Sequence, residues 1–405
     1  MKLQTRPRQA GFTLVELMIS LALGLLIVLA LITMLINVNR NNNELNVSSR
    51  MVENGRFSMQ LLETDLAHAG YWGGFVPDFD DLTLTTAPEL ATPTGTGQVP
   101  TALPDPCVPY SVASWNNEYQ ANLIGIPVQG SNVTAGGAVP LCGGVLTTPQ
   151  AGNDVLVVRH VEPCIAGSGS NECADTVATA NPDVYFQVSR CGSDTATHVM
   201  SASAADFTLR QRDCTALAER RRLASTLYYV KDDNGTPTLM RSQLRADGGP
   251  SAHQAAQALV ENIEGFRVEF GVDDKSDTNA AVVPTAAVSW VNVNVKTSPQ
   301  NRGDGIPDGS FRRCTQAVPC GPGELMNAVA VKIWVLVRAE QPTPGYTDVK
   351  TYKLGSRDTN CASAAAADAS ATCAPTLGPF NDGYRRHLFT QTVRLVNVAS
   401  RRETP

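Results

Sequence analysis

Glu16 is the residue whose placement says most about chemistry, because it is a carboxylate at the start of a long apolar segment. Between Leu17 and Ile36 only Ser20, Gly24 and Thr33 interrupt a run of apolar residues. That length matches the roughly 20 residues with which a helix crosses a bilayer. Ionisable groups are costly in such segments and usually serve a function. We therefore expect Glu16 to be a functional residue.

The residues on either side of the apolar segment predict its topology. Lys2, Arg6 and Arg8 precede it, and basic residues remain in the cytoplasm, so the bulk of the chain should be exported. A cleaved secretory signal is the alternative, but its apolar region spans only about 7–15 residues and ends at small residues. Here the run is longer, and the asparagine-rich stretch 37–43 follows it. We therefore expect a retained single-pass anchor in the inner membrane, with the carboxy-terminal region in the periplasm.

Residues 11–16, with the sequence Gly-Phe-Thr-Leu-Val-Glu, resemble the class III signal of type IV pilins and pseudopilins. The resemblance implies that a prepilin peptidase cleaves between Gly11 and Phe12 and that the new amino terminus of Phe12 becomes N-methylated. It also implies that Glu16, one helical turn after Phe12, meets the terminal amine of a neighbouring subunit. The leader is lost in this scheme, and the apolar helix is kept.

Five later segments look like corresponding parts of the PilW family of minor pilins. They are Arg56–Gly73, Leu227–Arg241, Leu259–Asp273, Ala328–Arg338 and Arg385–Val398. The resemblance implies a low-abundance subunit that moves from inner-membrane lipid to the pilus on the cell surface. It would prime type IV pilus assembly, sit at or near the tip with other minor pilins, the major pilin and a tip-associated adhesin, and serve cell adhesion and twitching motility.

Two other interpretations remain open at this point. One is a pseudopilin of type II secretion, and the other is a membrane-anchored periplasmic module that binds a ligand through disulfide-tied loops.

The composition indicates an exported globular region with an acidic surface. Of the 405 residues, 43% are hydrophobic and 17% are charged, which allows a core of ordinary size. Removal of a leader at 1–11 takes away three basic residues and no acidic one, so the formal net charge falls from −6 to −9. A negative charge argues against nucleic acid as a partner, and the triplet Arg220-Arg221-Arg222 is most simply a solvated face.

All ten cysteines follow the apolar segment, and their even number is typical of disulfides in an oxidising compartment. The sequence does not fix which cysteines pair, but pairing each cysteine with the next one would close five local loops. Metal–thiolate sites use closer pairs than any found here. The candidate disulfide cysteines are Cys107, Cys142, Cys164, Cys173, Cys191, Cys214, Cys314, Cys320, Cys361 and Cys373.

Motifs of catalysis and of phosphate binding do not occur in the sequence. Its five histidines lack metal-ligand spacing, and there is neither a Gly-x-Ser-x-Gly nucleophile elbow nor a phosphate-binding glycine loop. We therefore predict a protein that is not an enzyme and has no catalytic residues and no cofactor.

Four carboxylates are candidate calcium ligands, because calcium takes roughly six to eight oxygen ligands, often from bent acidic loops. Asp273 and Asp277 follow a predicted strand, and Asp304 and Asp308 flank a turn that contains glycine. Their spacing does not match an EF-hand, so two ordinary turns without a metal are the preferred interpretation.

The predicted fold class is α+β, with a long amino-terminal transmembrane and amphipathic helix packed on a mainly antiparallel β-sheet domain with disulfide-tied loops. The predicted boundaries are a leader at 1–11, a helix over 12–70 with its span at 17–36, and an exported domain at 71–405. No proline occurs between Pro7 and Pro77, so nothing forces a break in the helix. Gly70 and the glycines just after it should end it.

Beyond the span, a stripe of apolar residues predicts a buried helix face. Val38, Leu45, Val52, Met59 and Leu66 recur every seven residues, and Leu62 and Ala69 join them. The part from Val52 to Leu66 is expected to pack on the protein's own sheet. The asparagine-rich stretch and Gly55 are weak points, because both have low helix propensity.

Alternating and β-branched residues predict the strands. The clearest strand is Ala328–Arg338, and Asp232-Asp233-Asn234-Gly235 should turn a hairpin. The stretch Ala362–Ala371 is either a loop or a helical turn. The other predicted strand segments are 155–161, 184–188, 207–209, 227–230, 238–240, 266–272, 290–295, residues near 352–354, and a last strand through Phe389, Val393 and Leu395.

Overall fold

The computed structural model describes residues 11–134, 136–139, 141–142, 144–167, 174–355 and 376–403. The chain divides into two units, Met1–Arg50 and Met51–Pro405. Residues 1–10 of the predicted leader, the stretch Ala362–Ala371, and the cysteines Cys173, Cys361 and Cys373 lie outside the described residues. Within the described part the fold is α+β, as the sequence predicts, with one long helix and antiparallel sheets.

The described residues form one long α-helix, three short α-helices and a series of strands, besides two 3-10 turns at Asp78–Asp80 and Ala204–Asp206. The helices are α1 (Leu14–His68), α2 (Asn117–Gly125), α3 (Pro322–Leu325) and α4 (Val396–Arg402). The strands are β1 (Val128–Asn132), β2 (Asp154–Val161), β3 (Tyr185–Val188), β4 (His198–Ser201), β5 (Arg220–Asp233), β6 (Thr236–Arg245), β7 (Ala252–His253), β8 (Gln257–Glu261), β9 (Ile263–Val272), β10 (Trp290–Asn292), β11 (Thr297–Pro299), β12 (Ala328–Arg338), β13 (Tyr352–Lys353), β14 (Thr376–Leu377) and β15 (Arg386–Arg394).

Helix α1 ends where the sequence predicts its end. Its last residue is His68, and Gly70 follows with a φ of +73°, a left-handed conformation that glycine adopts without strain. The asparagine-rich stretch 37–43 stays helical, because low propensity weakens a helix but does not break it as proline does.

The buried face of α1 differs by one position from the predicted stripe. Met59, Leu62 and Leu66 are buried as expected, but Val52 is 38% exposed and Met51 is buried instead. A helix has 3.6 residues per turn, so a seven-residue repeat drifts around its surface. Because of this drift, Val52 lies outside the buried face of α1 and Met51 lies within it.

Gly55 lets the last strand approach α1 closely. A Cβ atom placed on Gly55 would lie 2.1 Å from Cε2 of Phe389 in β15. The aromatic ring therefore occupies the space that a side chain would need. Gly55 therefore lowers helix propensity but is needed for the packing of α1 against β15.

The larger sheet has eight strands and is organised around β5. The first residues of β5 pair with β3, its middle pairs with β2, and its second half pairs with β6, all antiparallel. The hairpin between β5 and β6 is the predicted one. Its two turn residues, Asn234 and Gly235, have φ values of +53° and +85°, which is the conformation that tight hairpins of right-handed twist require.

The second sheet has β12 at its centre, between β9 and β15, and both pairings are antiparallel. The strand has the bounds that the sequence predicts. Its five alternate apolar residues are all fully buried, and they are Val329, Val331, Ile333, Val335 and Val337.

Two predicted strands are wrong or shortened. Residues 207–209 form no strand: the N–H of Leu209 donates to Oε1 of Gln187 at 3.1 Å, so a side chain replaces the neighbouring strand, although Leu209 is buried. The strand predicted over 290–295 ends at Asn292, because the chain turns back there into β11 through Lys296, whose φ is +51°.

Two further elements differ from the prediction near the end of the chain. The last strand stops at Arg394, and Leu395 precedes α4, a helix too short for its periodicity to be recognised. Tyr352 pairs with Leu377 in the small β13–β14 sheet, and its side chain packs on Leu336 of β12 without joining that sheet.

Three disulfides crosslink the loops of the described region. They join Cys107 to Cys142, Cys191 to Cys214 and Cys314 to Cys320, and each of these is a pair of successive cysteines. Cys164 is disulfide-bonded as well. Crosslinks of this kind stabilise mainly by restricting the unfolded chain, by about 3 kcal/mol for a loop of about 15 residues.

Asp65 of α1 fastens the helix to the larger sheet through two polar contacts. Nε2 of His160 lies 3.0 Å from Oδ1 of Asp65, and the hydroxyl of Tyr228 donates to Oδ2 at 3.0 Å. Nδ1 of His160 faces the carbonyl oxygen of Val161 at 2.9 Å. Both ring nitrogens face acceptors, which only the doubly protonated imidazolium can satisfy. Burial lowers the pKa of His160, but the hydrogen bond and charge of Asp65 outweigh burial, so that the pKa is raised.

Gly55→Ala should lower the melting temperature of the full-length protein in detergent, although alanine forms helix better than glycine by about 1 kcal/mol. The new Cβ collides with Phe389, and overpacking costs about 1–3 kcal/mol. Adding Phe389→Leu should restore part of the loss, and Glu63→Ala, on the exposed side of α1, should have little effect. A higher melting temperature for Gly55→Ala would contradict the packing argument.

The contact of His160 should stabilise the fold in a defined range of pH. A group whose pKa is raised on folding contributes fully below its unfolded pKa, about 6.5, and the contribution is lost as pH rises through the folded value. His160→Gln should therefore reduce the free energy of urea unfolding more at about pH 5.5 than at about pH 8.5.

Two other histidines make the folded protein less stable at low pH, because their pKa values are lowered on folding. Both are present in the wild type and in His160→Gln, so their effects cancel when the two proteins are compared. Burial lowers the pKa of His198 and of His253 to about 4. An equal loss of stability at both pH values would show that folding does not raise the pKa of His160.

Candidate functional site

Residues 11–13 form a short non-helical segment before α1. Gly11 is exposed, with no atom within 4 Å of a Cβ built on it, and Phe12 is 89% exposed. Exposed, irregular backbone is the preferred substrate of proteases. The peptide bond between Gly11 and Phe12, at which the sequence predicts cleavage, is thus accessible.

Thr13 and Glu16 cap α1 reciprocally. The backbone N–H of Glu16 donates to Oγ1 of Thr13 at 3.3 Å, and the backbone N–H of Thr13 donates to Oε2 of Glu16 at 3.0 Å. The Thr13 hydroxyl also donates to Oε2 at 3.0 Å. This capping box satisfies two N–H groups that the first turn of a helix leaves without partners. The negative charge of Glu16 also interacts favourably with the positive end of the helix dipole.

Only one carboxylate oxygen of Glu16 is used by the cap. Oε2 accepts both bonds from Thr13, and no residue of the described region donates to Oε1. A positive group near the start of the helix can therefore bind Oε1 without disturbing the cap. The same side chain can hold its own helix and pair with another molecule.

The apolar segment satisfies its own polar groups. The Ser20 hydroxyl donates to the carbonyl oxygen of Leu17 at 3.0 Å, and the Thr33 hydroxyl donates to that of Ala30 at 2.8 Å. A bilayer interior offers no water, so every polar group there needs such an internal partner. In the described part of the chain, α1 is the one helix long and apolar enough to cross a membrane.

The large aliphatic side chains of Leu17–Ile36 are 47% to 67% exposed. Exposed apolar area costs about 25 cal/mol per Å² in water. Lipid or other apolar helices must therefore cover this segment.

The four carboxylates considered for calcium are bound by protein donors. Asp273 is buried, lies 3.2 Å from Nη1 of Arg402 and accepts the N–H of Gly305 at 2.9 Å. Asp277 accepts the Ser298 hydroxyl, Asp304 accepts the N–H of Ile306, and Asp308 accepts the N–H of Lys275. Within the described residues these carboxylates do not converge to metal-ligand distances. Their partners are donors of the surrounding turns and, for Asp273, the side chain of Arg402.

One set of potential metal ligands does converge within the described residues, namely Asp105, Cys107 and Cys142. The two cysteines are joined in a disulfide, and a disulfide sulfur is not the thiolate that binds metals. This set is therefore a crosslink and not a metal centre.

Comparison with protein families covers both the amino terminus and the sheets. Residues 6–35 match the family model of the prokaryotic N-terminal methylation motif, a range that includes Gly11, Phe12 and Glu16. Residues 227–397 match the family model of PilW, type IV pilus-assembly protein W. The chain therefore carries a PilW domain and a prepilin-type signal. The PilW match runs from β5 to the start of α4, so it includes the predicted hairpin and the whole of the second sheet.

Among solved structures, a type IV-like pilin, TTHA1219 from Thermus thermophilus, is 13% identical in sequence; the match covers 62% of this chain and 82% of that chain, with a TM-score of 0.24. No protein with a curated function matches the chain. Domains of the pilin families are structural and not enzymatic.

The sequence predicts roles for Gly11, Phe12 and Glu16, and the structure adds Thr13, which the sequence analysis does not name. The signal was present, because Thr-x-x-Glu before an apolar run is the pattern of a capping box. The predicted partner of Glu16 lies outside the chain, whereas its partner in the structure, Thr13, lies three residues before it.

Proposed function

We propose that this chain is a minor pilin that primes type IV pilus assembly and sits at or near the pilus tip. The observation that carries the proposal is the unused Oε1 of Glu16 at the start of an exposed apolar helix. That oxygen can accept a cation, and the helix needs an apolar cover. A neighbouring pilin supplies both, because its processed amino terminus is a positive charge on an apolar helix.

Processing would create the partner of Glu16. Prepilin peptidase cuts the exposed bond between Gly11 and Phe12, the leader is released, and the new amino group of Phe12 is N-methylated. The basic leader keeps this end in the cytoplasm before the cut, and the domain beyond α1 is then periplasmic. Until assembly, inner-membrane lipid covers Leu17–Ile36.

Assembly then transfers the apolar helix from lipid to the helices of other minor pilins and of the major pilin. Lipid tails are as apolar as leucine, so this transfer gains little from the hydrophobic effect. Specificity must come from polar pairing, because an ionised carboxylate without a partner is expensive in an apolar medium. A neighbour's amine bound to Oε1 of Glu16 therefore fixes the position of one helix along the other.

The family resemblance and the size of the exported region support the proposed tip position. A subunit at the tip has no further subunit on its outer side, so a large domain with disulfide-tied loops is tolerated there. The same outer side is free to contact the tip-associated adhesin.

Gly11→Val should block processing, because the side chain fills the space next to the scissile bond that glycine leaves open. Intact-mass measurement should find the variant with its leader and the wild type beginning at N-methylated Phe12. Ala10→Val, one residue earlier, serves as the control and should be processed. A Gly11→Val protein that begins at Phe12 would contradict the assigned cleavage site.

Glu16→Gln should prevent incorporation while leaving the cap in place. Glutamine can replace glutamate in a capping box, so this variant removes the charge and keeps the helix start. In cells that lack their own copy, we expect normal cleavage, few surface pili and little of the variant in sheared pili, measured by immunoblot.

Thr13→Ala is the matched control for the role of the cap. It removes the hydroxyl that caps the helix, at a cost of about 1 kcal/mol, and keeps the charge of Glu16. Incorporation should remain close to that of the wild type. Normal incorporation of Glu16→Gln, or equal defects in both variants, would refute a role for the charge in assembly.

A further inference from the structure

A pocket of about 310 Å³ lies next to the loop that the Cys191–Cys214 disulfide closes. Three arginines and one glutamate contribute to its lining, so the pocket carries two formal positive charges in a chain whose net charge is −6. Part of its wall is apolar and includes the buried residues Phe186 and Ala218. A positive, partly apolar pocket on an acidic protein points to an anionic ligand with a carbon skeleton.

Two of the three arginines are held in position by backbone carbonyls. Nη2 of Arg190 donates to the carbonyl oxygen of Gly73 at 3.1 Å, and Arg221 donates to that of Pro163. The glycines after α1 make this approach possible, because a Cβ on Gly74 would lie 2.9 Å from Nη2 of Arg190. Guanidinium groups that are already fixed lose little entropy when a ligand binds.

The third arginine, Arg212, is exposed and has no partner among the described residues. It lies two residues before Cys214, so the disulfide anchors the loop that carries it. Its guanidinium is free to bind a ligand that enters the pocket.

The triplet Arg220-Arg221-Arg222 is not the solvated face that the sequence predicts. Successive residues of a strand point to opposite faces, so Arg220 and Arg222 share a face and pair with Asp175 and Glu162, respectively. Arg221 points the other way and lines the pocket. The alternation along β5 thus places Arg220 and Arg222 in ion pairs on one face and Arg221 at the pocket on the other.

We propose that this pocket binds a carboxylate-bearing ligand, either a sugar acid or the acidic side chain of a protein. Guanidinium groups bind carboxylates through paired hydrogen bonds, and the apolar wall suits the carbon atoms attached to the carboxylate. Glu219, which lies 3.2 Å from Arg221 and is 51% exposed, repels a phosphate dianion more strongly than a single carboxylate.

Isothermal titration calorimetry of the full-length protein in detergent tests the proposal with sodium glucuronate and with N-acetyl-glutamate amide. Each probe has a neutral counterpart, glucose and N-acetyl-glutamine amide. Binding of at least one carboxylate, with no binding of its counterpart, is the expected result. The probe that binds identifies the source as a saccharide or a protein side chain. Inorganic phosphate that binds more tightly than both carboxylates would overturn the proposal, as would carboxylates that bind no better than their counterparts.

Arg212→Gln should weaken binding of the carboxylate about tenfold, the loss expected for one charge-assisted hydrogen bond. The substitution leaves the fold unchanged, because Arg212 is exposed and unpaired in the described structure. Arg312→Gln removes an arginine that is 53% exposed and does not line the pocket, so it should bind as the wild type does. Wild-type affinity in Arg212→Gln would overturn the assignment.

Discussion

A polar group that leaves water must find a partner, and this constraint governs both units of the chain. In Met1–Arg50 the charge at the start of the apolar segment is held by Thr13, and the hydroxyls within the segment bond to their own helix. In Met51–Pro405 the interior holds several ionised side chains. Removing one partner of a buried ion pair costs about 3–5 kcal/mol, so these pairs fix positions that apolar packing alone leaves adjustable.

The end of the chain shows how such pairs set tertiary structure. Arg402, which is 3% exposed, lies 2.9 Å from Oδ1 of Asp80 and 3.2 Å from Oδ2 of Asp273. It thereby joins α4 to the segment after α1 and to the end of β9. Arg386, at the start of β15, has a fully buried side chain that lies 2.9 Å from Oδ2 of Asp348. Both arginines hold the last elements against the sheet that contains β12.

The sequence predicted what depends on neighbours along the chain and not what depends on distant residues. The hairpin at Asn234, the strand β12 and the end of α1 follow from local turn and periodicity rules. The pairing of Arg402 with Asp80 joins residues 322 positions apart, and no local pattern indicates it. The arginine pocket is similar, because its lining comes from separate segments around residues 73, 186–190 and 211–221. The sequence shows that Gly55 lies within a helix but not why, because only the position of Phe389 shows that a side chain is excluded there.

The cap at Thr13 explains how Glu16 can be both stable alone and ready to bind. A charged side chain in an apolar segment would ordinarily be driven to the protonated form or out of the membrane. Hydrogen bonds to Oε2 reduce that cost before any neighbour arrives, and they hold the side chain in one orientation. In the assembly proposed above, the unused Oε1 would accept an incoming amine without loss of the cap, so that pairing would add a contact and break none. A carboxylate whose only partner came from a neighbouring subunit would have no hydrogen bonds before assembly. The four-residue pattern Thr-x-x-Glu supplies hydrogen bonds at that stage.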